Sequence, residues 1–272
     1  MVLNQSLELN NGIKMPMLGL GVYKSAEHTK ESVLAALGAG YRHIDVASVY
    51  GNEKEVGEAI RESGIPRKDI FITTKLWNDD MRAGTQREAL ERSLEKLQMD
   101  YVDLYLLHWP VEPYYVASWK ILEEACREGK AKSIGVSNFQ INHLMELMAN
   151  SKTVPVVNQI ECHPYLSQQI LRSFCQRVGI QVTAWAPLGR ARIFKEPVIL
   201  ELAEKYKRTP SQIILRWQIQ NQVIVIPKSV HRERIIENSR IFDFKLSLED
   251  MEKMDGLNRD QRFGPDPDNF DF

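Results

Sequence analysis

The chain has 272 residues, 43% of them hydrophobic and 26% charged, with a formal net charge of -1. Such a length fits one α/β barrel domain of about 250 residues and buries enough core to need neither disulfide nor metal. The near-zero charge excludes a nucleic acid or membrane surface held by bulk charge, and no Cys or His grouping has metal-ligand spacing.

The opening MVLNQSLELNNG turns polar at once, so no signal peptide is expected, and no apolar run reaches the roughly 18 residues of a membrane helix. Three widely spaced cysteines, Cys126, Cys162 and Cys175, suit reduced thiols in a cytoplasmic protein. No Ser/Gly linker or low-complexity stretch divides the chain, so residues 1–272 are expected to form a single domain. SLELNNGIKM predicts a β-hairpin about Asn10–Asn11–Gly12, placed to plug a barrel bottom.

From there, short apolar runs alternate with amphipathic segments. Strands are predicted at 17–21, 41–45, 70–75, 102–108, 131–138, 155–159, 180–185 and 223–228. Helices are predicted near 28–39, 52–63, 85–97, 115–128, 141–149, 167–178, 197–207 and 231–237. Repeated β–α units imply parallel strands joined by crossover helices, and eight of them imply a closed (β/α)₈ barrel. An open dinucleotide-binding sheet would carry GxGxxG after its first strand, and GLGVYK lacks that spacing. Ser211 and Ser247 read as helix caps, the latter opening an extra C-terminal helix. The tail RFGPDPDNFDF is expected to be irregular, either a frayed end or a flap over the barrel mouth.

Seven of the predicted strands end in a polar or aromatic residue: Asp45, Lys75, His108, Asn138, Gln159, Trp185 and Lys228. Strands of a buried parallel sheet should otherwise read as unbroken apolar runs. Taken singly, Asp45 has the reading of a turn former, Lys75 of a surface cation, His108 of a satisfied core histidine and Tyr50 of a packing aromatic. Together, at equivalent strand ends, they mark the face on which such barrels build their sites.

At these residues the chain resembles the aldo-keto reductase family. GYRHIDVASVYGNEKEVG (40–57), KSIGVSNF (132–139) and IPKSVHRERIIEN (226–238) are similar to its three signatures, and related blocks fall between them in the family's order. The resemblance spans essentially the whole chain. The compact loops and GPDPDNFDF ending look like the small prokaryotic branch, with its diketogluconate-, glyoxal- and prostaglandin-reducing members. It implies NADPH-dependent reduction of aldehydes and ketones, with Asp45, Tyr50, Lys75 and His108 catalytic. Tyr50 would donate the proton, Lys75 would lower its pKa, Asp45 would hold Lys75, and His108 would orient the carbonyl. Ser137, Asn138 and Gln159 would hold the nicotinamide carboxamide, Trp185 would stack on its ring, and Leu188 would line the pyrophosphate. Lys228, Ser229 and Arg234 would grip the 2′-phosphate, with Glu237 and Asn238 at the adenine. Tyr23, Trp77 and Trp109 would wall an apolar substrate pocket.

The chain departs from the family's pattern at Val46, at Ala186 and at Val22–Tyr23. The partners implied are small carbonyl compounds, without nucleic acid, membrane or obligate protein partner, for a monomer. Two other readings stand beside this one: an NADPH-binding sensor without turnover, and a Schiff-base aldolase using Lys75.

Overall fold

A computed structural model of the chain describes residues 5–272. Strands β1 (Ser6–Glu8) and β2 (Lys14–Pro16) pair antiparallel as the predicted hairpin. The turn between them needs Gly12, whose φ of +82° is a conformation side chains rarely adopt. Leu9 and Met15 pack against Phe71, Leu104, Leu106, Val157 and Ile224 of the barrel interior. The hairpin therefore closes the end of the barrel where the strands begin. Its turn is also tied down, because Asn10 Nδ2 donates to the carbonyls of Pro155 and Gly179, both at 3.1 Å.

Eight parallel strands follow in chain order around one sheet. They are β3 (Leu20–Gly21), β4 (His43–Asp45), β5 (Phe71–Leu76), β6 (Val102–Leu107), β7 (Ala131–Ser137), β8 (Val157–Glu161), β9 (Gln181–Trp185) and β10 (Ile224–Val225). The sheet curls back on itself. Leu18 bridges Val225 in parallel, the Gly19 amide donates to Val225 O and the Val225 amide to Met17 O, both at 2.9 Å. The ring is a (β/α)₈ barrel. Every residue of β5, β8 and β10 is buried, as a sheet covered on both faces requires.

Crossovers are made by α1 (Thr29–Gly38), α2 (Glu53–Glu62), the short α3 (Asn78–Ala83) with α4 (Gln86–Leu97), α5 (Tyr115–Arg127), α6 (Ile141–Ala149) and α7 (Gln169–Arg177). Between β9 and β10 the sequence predicts one helix, near 197–207, but the structure has two, α8 (Pro197–Tyr206) and α9 (Pro210–Gln220). The cap predicted at Ser211 is also displaced. Thr209 caps α9, accepting from the Gln212 amide while Gln212 Oε1 accepts from the Thr209 amide. Pro210 takes the first helical position, where its missing N–H costs nothing, so the cap precedes it. Helix α10 (Arg232–Ser239) follows β10, and α11 (Leu248–Asp255) opens on Ser247 as predicted, whose hydroxyl accepts from the Asp250 amide.

Helix α11 packs on α8 around a second core that includes Ile199, Leu202, Ile214, Trp217 and Met254. Among the described residues no helix is long and apolar enough to cross a membrane. Residues 259–272 cross the mouth of the barrel. The Arg259 and Gln261 amides donate to Tyr165 O, and Phe272 O accepts from Asn78 Nδ2 and from Arg82. Of the two readings of the tail, the flap is the one adopted.

Candidate active site

Asp45 ends β4 and Lys75 lies near the end of β5, so parallel pairing brings them to the same rim of the barrel. Lys75 Nζ is 2.5 Å from Asp45 Oδ1 and donates to Val46 O at 2.9 Å, while Gln159 Nε2 donates to Asp45 Oδ2 at 2.7 Å. Burial pushes the Asp45 carboxyl up, opposed by Lys75 and Gln159. Burial pulls the Lys75 ammonium down, opposed by Asp45 and more weakly by Glu53. Lys75 is 0% exposed and its ammonium is bonded, which leaves it poorly placed as a free nucleophile and removes support from the aldolase reading.

Tyr50 ends a single 3₁₀ turn, Ser48–Tyr50, braced on β5 by Ser48 Oγ donating to Lys75 O at 3.0 Å. Its ring centroid lies 5.1 Å from Lys75 Nζ, 5.8 Å from the His108 ring and 4.9 Å from Tyr23. The sequence reading has Lys75 lowering the phenol's pKa. The structure gives the opposite direction: burial, the Asp45 charge and Tyr23 hold Tyr50 well above its ordinary value. Burial is the largest cause, and the hydrogen bonds of Lys75 run to Asp45 and Val46 rather than to the phenol.

His108 follows β6, its amide donating to Leu76 O at 3.1 Å. Burial and the nearby Lys75 charge hold the imidazole well below its ordinary pKa, so it is neutral. Its Nδ1 is buried without a partner among the described residues. An unpaired lone pair is the cheaper way to leave that atom, which puts the proton on Nε2.

A belt of hydrogen bonds continues round the rim. Ser137 Oγ donates to Gln159 O at 2.8 Å. Asn138, at φ +65°, donates from Nδ2 to His108 O at 3.0 Å, and its Oδ1 accepts from Trp185 Nε1 at 2.8 Å. Asp45, Lys75, Gln159, Ser137, Asn138, His108 and Trp185 thus meet as one connected set. Leu188 is half-buried just beyond β9.

The three aromatic residues assigned to the pocket also reach this rim. Tyr23 is 52% exposed beside Tyr50, and Trp77 meets the His108 ring edge-on at 5.1 Å. Trp109 lies 5.0 Å from Phe270 and 5.1 Å from Phe272, and Phe272 stacks on Trp77 at 5.9 Å. Phe270 and Phe272 therefore join these aromatic residues at the rim, and the sequence reading missed them.

The residues assigned to a nucleotide phosphate lie apart from this cluster, beyond β10. Lys228 and Arg234 are exposed and, among the described residues, neither forms an ion pair. Ser229 is buried, its Oγ accepting from the His231 amide where α10 begins. Glu237 accepts from Thr209 Oγ1 at 2.8 Å, and Asn238 is buried on the same helix. Also unforeseen is Glu161, the last residue of β8. It is buried and accepts from the amides of Phe263 at 2.7 Å and Gly264 at 2.9 Å and from His163 Nε2 at 2.9 Å. Period-two alternation from Gln159 puts Glu161 on the same face of β8, the one signal that could have found it.

The aldo/keto reductase family profile matches residues 16–259. Glyoxal reductase of Bacillus subtilis (strain 168) is 48% identical over 272 residues, 99% of each chain. The methylglyoxal reductase DkgA of Escherichia coli (strain K12) is 46% identical over 97% of each chain. Among solved structures, the Bombyx mori aldo-keto reductase in complex with NADP superposes with a TM-score of 0.93 at 36% identity, over 98% of this chain and 97% of that one. Signatures, barrel and matches agree over nearly the whole length, and the chain belongs to the aldo/keto reductase family of oxidoreductases.

Proposed function

We propose that the protein reduces small aldehydes, ketones and dicarbonyl compounds to alcohols with NADPH, with Tyr50 as the proton donor. The observation that carries the reading is the convergence of Tyr50, the Asp45–Lys75 pair and neutral His108 on one rim, beneath aromatic walls. The residues present fit a nicotinamide dinucleotide with an extra phosphate. Lys228 and Arg234 are exposed cations without ion-pair partners among the described residues, beside Ser229 and the start of a helix, which is an anion-binding combination. Trp185 offers a half-buried indole, Ser137, Asn138 and Gln159 offer amide and hydroxyl groups beside it, and Leu188 follows shortly after Trp185 in the chain, where it would line the pyrophosphate. When bound, the cofactor supplies the hydride. Glu237 and Asn238 would face its adenine.

The protein's own contribution is proton management. Hydride addition leaves negative charge on the carbonyl oxygen, and an acid held beside it lowers that barrier. Tyr50, kept protonated by burial, supplies the proton from its hydroxyl. Lys75 places a positive charge near the phenolate that results, and Asp45 fixes Lys75. His108, with its proton on Nε2, donates to the substrate oxygen and aims it. Trp77 and Trp109 shield the substrate side from water, with Tyr23 at its open edge. The similarity to a glyoxal reductase and a methylglyoxal reductase supports a small dicarbonyl as the substrate class.

The test is the loss of NADPH absorbance, beside NADH, against glyoxal, methylglyoxal, simple aldehydes and keto sugars. Turnover with NADPH well above NADH is expected. Arg234→Ala should weaken NADPH about tenfold or more while sparing NADH, the loss typical of a charged hydrogen bond. NADPH binding without turnover on any carbonyl would favour the sensor reading instead. Equal losses for both cofactors would contradict the 2′-phosphate assignment.

A further inference from the structure

The indole of Trp185 is located at both ends. Its Nε1 donates to Asn138 Oδ1 at 2.8 Å. Its opposite rim, Cζ3 and Cη2, lies against the backbone of Gly264 in the tail. A Cβ built on Gly264 would overlap Cη2 and stand 3.1 Å from Cζ3 and 3.0 Å from Glu161 Oε2. The backbone of Gly264 does not occupy the left-handed region, so glycine is not needed there for its conformation. What requires glycine is the closeness of the indole.

The tail cannot simply retreat from that ring. Glu161 pairs with Trp185 across the β8–β9 ladder, and its carboxylate accepts both the Phe263 and Gly264 amides. His163 completes the pin, bonded to Glu161 through Nε2 and stacked on Phe263 at 4.8 Å and 18°. A buried carboxylate with two backbone donors and an imidazole is a fixed point, because any shift of the tail would strand a desolvated charge.

We propose that Gly264 is a positioning residue for the cofactor: the tail backbone, pinned on Glu161, holds the far rim of the Trp185 indole and so sets the plane on which the nicotinamide rests. The proposal depends on the reading that Trp185 stacks on the nicotinamide. It assigns the tail a task separate from that of Phe270 and Phe272, which join the aromatic residues of the rim further along.

The experiment uses the full chain and four variants: Gly264→Ala, Trp185→Phe, the double variant and Trp185→Ala. NADPH affinity and release are followed by cofactor fluorescence, and KM and kcat with methylglyoxal. Gly264→Ala is expected to raise the NADPH Kd and KM about tenfold with a smaller change in kcat at saturation, the mark of displaced binding rather than lost chemistry. Phenylalanine at 185 lacks the atoms that Gly264 touches, so the alanine should cost little affinity in that background. Unchanged Kd, release and KM in Gly264→Ala would overturn the proposal. So would a loss of equal size with Phe at 185, since the effect would then bypass the indole. Should Gly264→Ala fail to fold, Glu161→Gln tests the pin without adding volume. NADPH release several-fold faster is expected, and unchanged release would count against the clasp. Trp185→Ala tells the two readings apart, because normal NADPH affinity and turnover in it would remove the stacking role of Trp185 itself.

Discussion

Tyr50 keeps its proton because desolvation and the nearby Asp45 charge both disfavour the phenolate. For reduction the protonated form is the working one. Its raised pKa therefore predicts a reduction rate that stays level through neutral pH and falls only as pH climbs above the ordinary phenol value of about 10. Tyr50→Phe should lower kcat by about 10²–10⁴, the usual worth of a positioned acid, and leave NADPH affinity unchanged. Full turnover in that variant would dismiss Tyr50 as the donor. Asp45, Lys75 and His108 were legible in the sequence because polar residues interrupt strands that should be apolar. The direction of the Tyr50 shift was not, because it depends on how far folding removes the phenol from water and brings Asp45 near it, which spacing does not encode.

Helix α11 shows how an appended element is fastened. Asp250 in its first turn is buried and accepts from Lys205 Nζ, Tyr206 and Ser247. Burial alone would raise its carboxyl, but these three donors outweigh burial and bring it down to about 2. A carboxyl lowered by folding stabilises the fold above its unfolded pKa of about 3.9, and that contribution fades as pH falls towards 2. Asp250→Asn should destabilise the protein by about 2 kcal/mol at pH 7. The gap to the parent should narrow on acidification, which thermal unfolding from pH 7 to pH 3 will measure. A gap that stays constant would mean that the carboxylate charge has no part in it. The cap at Ser247 was readable from residue type. Helix α9 was harder, since Ile213, Ile214, Leu215, Trp217 and Ile219 are all buried and the run shows no single apolar stripe. The six-residue α3 is too short and polar to show any period.

The molecule as a whole separates support from chemistry along the barrel axis. The hairpin fills the end where the strands start, and the polar belt with its aromatic walls occupies the other. Met15 is fully buried in that floor. Met15→Ala should cost about 2–5 kcal/mol and lower Tm by roughly 5–15 °C while kcat is retained. A fall in kcat at temperatures where the variant is folded would show that the two ends are not independent. The repeat of strands and helices made the barrel legible. The course of the tail was not, because Glu161, Trp77 and Trp109 come from separate strand ends that meet only in three dimensions. The hairpin's anchors raise a matter of timing. Asn10 and Asn11 grip groups 121 to 169 positions further along the chain, and Leu18 completes the ring with Val225. During synthesis these strands emerge before their partners, and they have nothing to hold until almost the entire barrel has been made. A stretch made before the barrel is thus among the last to be secured, and Leu9 and Met15 must stay clear of wrong partners while the barrel is made.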